Sequence, residues 1–326
     1  MESARIKKRV IGVDIGTHKT TYAIVDVRGN IIAQGEFPTQ DYLDINLFTD
    51  KLTQSFIEMA ESNGGYDSIR SVGISCPSAV YSSGCIENAP NLPWKGVIPL
   101  CAMLRDRLGM AVALGNDAHT TALGEKMYGS AHGMKNFIAV NLGVGVGSCF
   151  FSEGHEHQGA SGYAGEFGHT CINDHGRKCS CGLTGCIEAY CGAAGIVLTA
   201  REVLAESDEQ SEMRAAEELT PKMIAELCDD GDKLAVEVFR RTGYLLGIGL
   251  ATYASIVNPE AIILTGGISH AGEWLLEPAR QSFEQHVFHN MQGKVKLLIS
   301  DLNNQERDVL GASALAWEVP EYSLFR

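Results

Sequence analysis

The apolar positions of this chain fall into one pattern that occurs twice. Residues 10–15 form a short β-branched run. Two more apolar runs follow, 20–27 and 31–37, separated by the turn Arg28-Gly29-Asn30. Such runs bounded by turn residues predict an antiparallel meander of three strands. Between 43 and 60, Leu43, Leu47, Phe48, Leu52, Phe56, Ile57 and Ala60 recur at spacings of three and four, which predicts an amphipathic helix. A strand at 69–75, a helix at 100–108, a strand at 111–114 and a helix at 118–126 complete the first half. The second half opens on strands 137–142 and 148–151. A polar, helix-rich stretch (206–230) precedes a long helix at 232–256 and a strand at 261–265, with a final helix at 310–317. Two meander-plus-helix units, each with a glycine turn after its first strand, predict an internally duplicated α/β protein of two lobes. The expected division is 1–117, joined by a C-terminal helix at about 308–326, against 118–307.

Composition narrows the classes of function. With 326 residues, 45% hydrophobic and 20% charged, the chain has material for two ordinary cores. The net charge of -14 argues against a nucleic-acid groove or an anionic membrane as partner. The first ten residues have basic character but no apolar stretch of a signal peptide, and the longest apolar passage, 244–257, is too short to span a bilayer. A cytoplasmic location is therefore expected, with the ten cysteines read as reduced thiols plus a metal site.

That metal site falls in the loop 165–188, GEFGHTCINDHGRKCSCGLTGCIE. His169, Cys179, Cys181 and Cys186 make a set of one imidazole and three thiolates, which closes a tetrahedral zinc site with no position for water. Zinc here is a staple that orders a loop with few apolar residues. Cys171 and His175 lie close enough in sequence to compete as ligands. Glu166, His169 and Glu188 of the same loop can accept or donate hydrogen bonds to a polyol, or the two glutamates are plain solvated loop residues.

Two glycine turns follow the first strand of each half: Gly16-Thr17-His18-Lys19-Thr20 and Gly143-Val144-Gly145-Val146-Gly147-Ser148. Each is either an ordinary hairpin turn or a place where backbone N–H groups converge on phosphate. Neither has the ending of a P-loop or of a dinucleotide fingerprint. Gly115-Asn116-Asp117 stands between a strand and a helix. Asp117 there is either a helix-capping residue or a carboxylate that takes a hydroxyl proton during phosphoryl transfer. Asn91, within Asn88-Ala89-Pro90-Asn91-Leu92-Pro93-Trp94, sits in a turn-forming segment.

Taken in order, these segments resemble the ROK family (repressors, open reading frames and sugar kinases) from Gly12-Val13-Asp14 to Leu310-Gly311-Ala312. Gly-Glu-x-Gly-His followed by Cys-x-Cys-Gly-x-x-Gly-Cys-x-Glu carries most of that likeness. The resemblance implies a duplicated actin-like (ribonuclease H-like) ATPase fold with a zinc loop. It also implies ATP- and Mg²⁺-dependent phosphorylation of a hexose, usually at the 6-hydroxyl, in a homodimer or homotetramer. Asp117 resembles the family's base, and Asn91, Asn116, Glu166, His169 and Glu188 its sugar contacts. His169, Cys179, Cys181 and Cys186 match its zinc ligands. Asp14, Gly16, Thr17, Lys19, Thr20, Gly143, Val144 and Gly145 fall near the phosphates, and Gly266 and Gly267 against the adenosine. The family's repressors carry a DNA-binding segment before the Asp-x-Gly turn, where this chain has thirteen residues. Two departures stand out: Gly16-Thr17-His18 replaces Gly-Gly-Thr, and Gly143-Val144-Gly145 replaces Gly-Thr-Gly. Ser78 also stands where glycine is usual after proline. The lost hydroxyls leave open a sugar-binding or regulatory relative with weak or absent kinase activity. N-acetylmannosamine and N-acetylglucosamine remain alternatives to glucose. A hydrolytic zinc enzyme would need an open metal position.

Overall fold

In the computed structural model, which describes residues 7–160, 162–303 and 306–320, the three-strand meander forms as the alternation requires. Strands β1 (Arg9–Ile15), β2 (Lys19–Asp26) and β3 (Ile31–Pro38) pair antiparallel, and β4 (Ile69–Ser75) and β8 (Ala111–Gly115) join in parallel. The sheet order is β3-β2-β1-β4-β8. A small antiparallel sheet lies between β4 and β8 in sequence, made of β5 (Ala79–Val80), β6 (Cys85–Glu87) and β7 (Val97–Ile98). Its short strands carry no periodicity that the sequence alone could reveal.

Helix α1 (Ile45–Ser62) starts later than its apolar pattern, because Asp44 caps it by accepting from the N–H groups of Asn46 and Leu47. Phe48, Leu52, Phe56 and Ala60 are buried on one stripe, while Leu43, Leu47 and Ile57 are exposed. The core of this unit also takes α2 (Leu100–Leu108). Helix α3 (Asp117–Met127) packs against the last helix, α9 (Arg307–Glu318). Gly12 in β1 allows α9 to cross the sheet: a Cβ there would sit 2.2 Å from the Val309 carbonyl oxygen. The chain divides into two compact units after His132 and again at Leu302, with α3 in the same unit as the helix it packs on. Expected helical residues 321–326 lie outside the described residues.

The second unit, Gly133–Asp301, repeats the frame. Strands β9 (Phe137–Leu142), β10 (Val146–Ser152) and β11 (His155–Glu156) are antiparallel, and β12 (Ala261–Thr265) and β13 (Lys296–Ile299) add in parallel, in the order β11-β10-β9-β12-β13. This is the actin-like duplicated fold. Between β11 and β12 the chain forms the zinc loop, α4 (Glu188–Cys191), α5 (Ala193–Glu206), α6 (Pro221–Asp229) and α7 (Lys233–Val257). The stretch expected to be helix-rich, 206–230, is irregular before α6 apart from one short 3₁₀ helix (Glu212–Arg214), and α5 ends where it begins. Helix α8 (Glu273–His286), which packs along α7, was hidden in the sequence by Pro278, a residue that normally interrupts a helix. No helix among the described residues is long and apolar enough to cross a membrane.

Candidate active site

In the first unit the turn between β1 and β2 is held from within. Gly16 N–H donates to the Lys19 carbonyl at 2.9 Å, the Thr39 hydroxyl donates to the Gly16 carbonyl at 2.8 Å, and Gln40 donates to the Thr17 carbonyl at 2.7 Å. With the Thr39 proton committed to Gly16, the Thr20 hydroxyl donates to Thr39 Oγ1 at 2.9 Å. Thr20 is fully buried, and its hydroxyl is engaged within the turn. Lys19 reaches the exposed carboxylate of Glu36 at 2.7 Å.

Three carboxylates of this unit influence one another. Asp14, next to last in β1, pairs beside Ser75 of β4. Loss of water pushes its carboxyl up to about 7, the negative charges of Asp308 and Asp117 push the same way, and the Ser75 hydrogen bond and Arg307 oppose. Asp117 opens α3, with Asn116 as its cap accepting from His119 N–H at 2.7 Å. Asp117 Oδ1 accepts from Ala118 N–H at 3.2 Å. Its carboxylate keeps contact with solvent, yet the protein mass around it removes enough water to raise its pKa, and Asp308 adds to that. Asp308 was not found from sequence. It stands in the first turn of α9, and only the crossing of α9 over β1 and α3 brings its charge to bear. Asn91 is exposed in the loop between β6 and β7.

In the second unit the zinc loop is folded as a ligand cage. Cys179 Sγ lies 3.8 Å from His169 Nδ1, and the Cys181 and Cys186 sulfurs are 3.7 Å apart. All four ligand atoms fall within 4.8 Å of one another. A tetrahedron with Zn–S bonds of about 2.3 Å has edges of about 3.8 Å, so the donor set fits zinc. Cys171 and His175 stand outside that cluster: Cys171 pairs its backbone with Cys186, and His175 points to Asp174 at 3.8 Å.

The loop is built to hold that geometry. Phe167 is buried and stacks on Tyr253 with ring centroids 5.2 Å apart. Gly168 runs so close to β10 that a Cβ would meet the Val146 carbonyl oxygen at 2.0 Å. Arg177 donates to the Ala189 and Gly195 carbonyls and to Thr199, and lies over the Tyr190 ring at 4.7 Å. With Nδ1 turned to the thiolates, His169 presents Nε2 toward Glu166, 4.0 Å away, and Glu166 is exposed. Metal on Nδ1 fixes the tautomer that carries its proton on Nε2.

Glu188 is half-buried and is not a loose loop residue. Its carboxylate accepts from Val146 N–H and from the Ser180 hydroxyl, both at 3.0 Å, tying the zinc loop to the turn between β9 and β10. In that turn Gly145 faces Glu188 so closely that a Cβ would sit 2.5 Å from Oε2. Val144 is 93% exposed and brings no hydroxyl. Past β12, Gly266 has φ +89° and leaves no room for a Cβ against Asn141 and Leu142. Gly143 and Gly267 differ: neither has a positive φ, and a Cβ on either would meet nothing within 4 Å. Internal packing does not require glycine at these two places, and open space lies above both.

The sequence pattern of the ROK family matches residues 10–319. The chain belongs to the ROK family. A glucokinase of Halalkalibacterium halodurans is 31% identical over 94% of each chain. A xylose repressor of Caldicellulosiruptor bescii is 27% identical over 96% of this chain and 80% of its own. A ROK glucokinase from Streptomyces griseus, solved with glucose and AMPPNP, superposes with a TM-score of 0.77 at 29% identity, covering 95% of this chain and all of that one.

Proposed function

We propose that this protein transfers the γ-phosphoryl group of ATP to the 6-hydroxyl of a hexose, with glucose the first substrate. Its membership of the ROK family, beside glucokinases, makes it an ATP-dependent sugar kinase. The observation that carries the finer reading is Asp117, placed by the Asn116 cap at the mouth of α3 with a carboxyl whose pKa is raised. A carboxylate in that state takes a proton more readily as the sugar oxygen bonds to phosphorus. Asp117 then receives the 6-hydroxyl proton while ADP leaves. Asn91, Asn116, Glu166, His169 and Glu188 hold the ring hydroxyls, and His169 Nε2–H is available as a donor. The turns at Gly16–Thr17 and Gly143–Gly145 take the phosphates, and Gly266-Gly267 the adenosine. Asp14 stands toward Mg²⁺, which would neutralise phosphate charge, and zinc in the cage of His169, Cys179, Cys181 and Cys186 would keep Glu188 on its turn.

Coupled ADP release with Mg·ATP across hexoses and N-acetylhexosamines tests this. Sugar-dependent ADP is expected, and Asp117→Ala should lower turnover by roughly 10²–10⁴-fold with folding and sugar binding kept. Full turnover in that variant sinks the role of Asp117. A second reading, a sugar-binding relative with little transfer, is favoured by the bare Val144 side chain in the phosphate turn. It takes over if zinc-loaded protein binds a hexose but releases no ADP.

A further inference from the structure

The loop that carries Asn91 has an organiser of its own. Asn88 N–H donates to the Gly96 carbonyl at 2.9 Å and closes the segment 88–96, with both end residues at positive φ. Leu92 and Trp94 are buried beneath it, Trp94 against Phe48 with ring centroids 4.3 Å apart and its indole N–H on the Tyr42 carbonyl. Those anchors fix one side of the loop. The other side turns backbone carbonyls outward, and Pro90 and Pro93 have no N–H to satisfy them.

Lys95 fills that gap. Its ammonium donates to the carbonyls of Ala89 at 3.3 Å, Pro90 at 3.1 Å and Leu92 at 3.0 Å. These three residues bracket Asn91. A compact ammonium has three donors that can point to three acceptors at once, so one charge takes up every donor it has on the backbone around Asn91. Asn91 itself is exposed, between two of the carbonyls that Lys95 holds.

We infer that Lys95 is a positioning residue for sugar recognition: from the exposed side of the loop its ammonium holds the backbone of 88–96 and aims Asn91. The part that concerns sugar rests on the reading of Asn91 as a sugar contact. Losing the ammonium leaves the loop with open carbonyls and an ensemble of shapes. Binding then has to select the competent shape, which weakens affinity without touching the chemical step.

The experiment compares wild type, Lys95→Met and Lys95→Arg. Amide hydrogen exchange of the sugar-free proteins reads the loop, and calorimetry with glucose together with steady-state kinetics reads recognition. Lys95→Met is expected to speed exchange within 88–96 alone, and to raise the glucose Kd and KM about tenfold with kcat nearly unchanged. Lys95→Arg should recover only part of this, because a planar fork cannot converge on three carbonyls. Unchanged exchange in 88–96 overturns the inference, as does faster exchange across the whole first unit, which would make Lys95 a general stabiliser. A kcat loss as large as the KM rise also overturns it. If wild type binds no hexose, the sugar reading of Asn91 fails, while the exchange data still decide whether Lys95 shapes the loop.

Discussion

The turn at 16–19 and the turn at 143–145 occupy the same place in two copies of one sheet, yet they are held by different means. The first is tied by its own neighbours: Thr39 and Thr20 through buried hydroxyls, and Gln40 at the rim. The second hangs on Glu188, and through Glu188 and Ser180 on the zinc loop. Duplication of a fold thus fixes where the first glycine turn of each unit stands and leaves open what keeps it there. One copy relies on local hydrogen bonds, and the other on a loop whose Cys and His side chains are gathered as a metal site would need, where any metal bound would add its binding energy to folding.

The strongest test of this contrast is removal of a zinc ligand. Cys186→Ser should abolish stoichiometric zinc, expose 143–145 and 165–188 to exchange, and lower the unfolding temperature of the second unit by roughly 10 °C or more. The turn at 16–19 should stay protected. Equal loosening of both turns, measured by hydrogen exchange and metal analysis, would erase the distinction.

A smaller effect is expected from Asp14→Asn in the first unit. The Asp14 carboxyl sits at about 7 in the folded protein against about 3.9 in an unfolded chain. The folded state therefore holds the proton more tightly, and between about pH 4 and 7 this residue makes stability fall as pH rises. Asparagine removes that penalty, so urea unfolding of nucleotide-free protein should show a gain of roughly 1–3 kcal/mol at pH 8. The gain should shrink toward pH 5.5. A gain independent of pH would mean that Asp14 is not the group responsible.

Thr39→Val should have the most local consequence. It keeps the shape but strips Gly16 and Thr20 of their hydroxyl partner, at a cost of about 1–3 kcal/mol. Faster exchange is expected at Gly16–Lys19 and none at 143–145. If both turns respond, they are coupled and the local picture of the first is wrong.

Much of the candidate site was legible because its chemistry is local in sequence. His169, Cys179, Cys181 and Cys186 lie in one loop, so their spacing alone proposed a closed zinc site, and the folded loop gathers those four side chains. Strand Ile69–Ser75 and helix Leu100–Leu108 fall where their patterns put them. Other features were not legible. The burial of Thr20 against Thr39 is one. Helix α8 was masked by Pro278, and the sheet β5–β7 by strands too short for a period.

By itself, the sequence determined most of the longer elements, the duplication and the grouping of the Cys and His side chains in one loop, because periodicity, turn residues and ligand spacing act over a few residues. The tertiary structure alone decided which groups feel one another. Asp308 is nearly three hundred residues from Asp14, and its charge reaches Asp14 and Asp117 only because Gly12 lets α9 lie close across β1. Lys95 acts on Asn91 because the loop folds back on a buried Leu92 and Trp94. Electrostatic fields and converging carbonyls depend on distance in space, which no local pattern encodes.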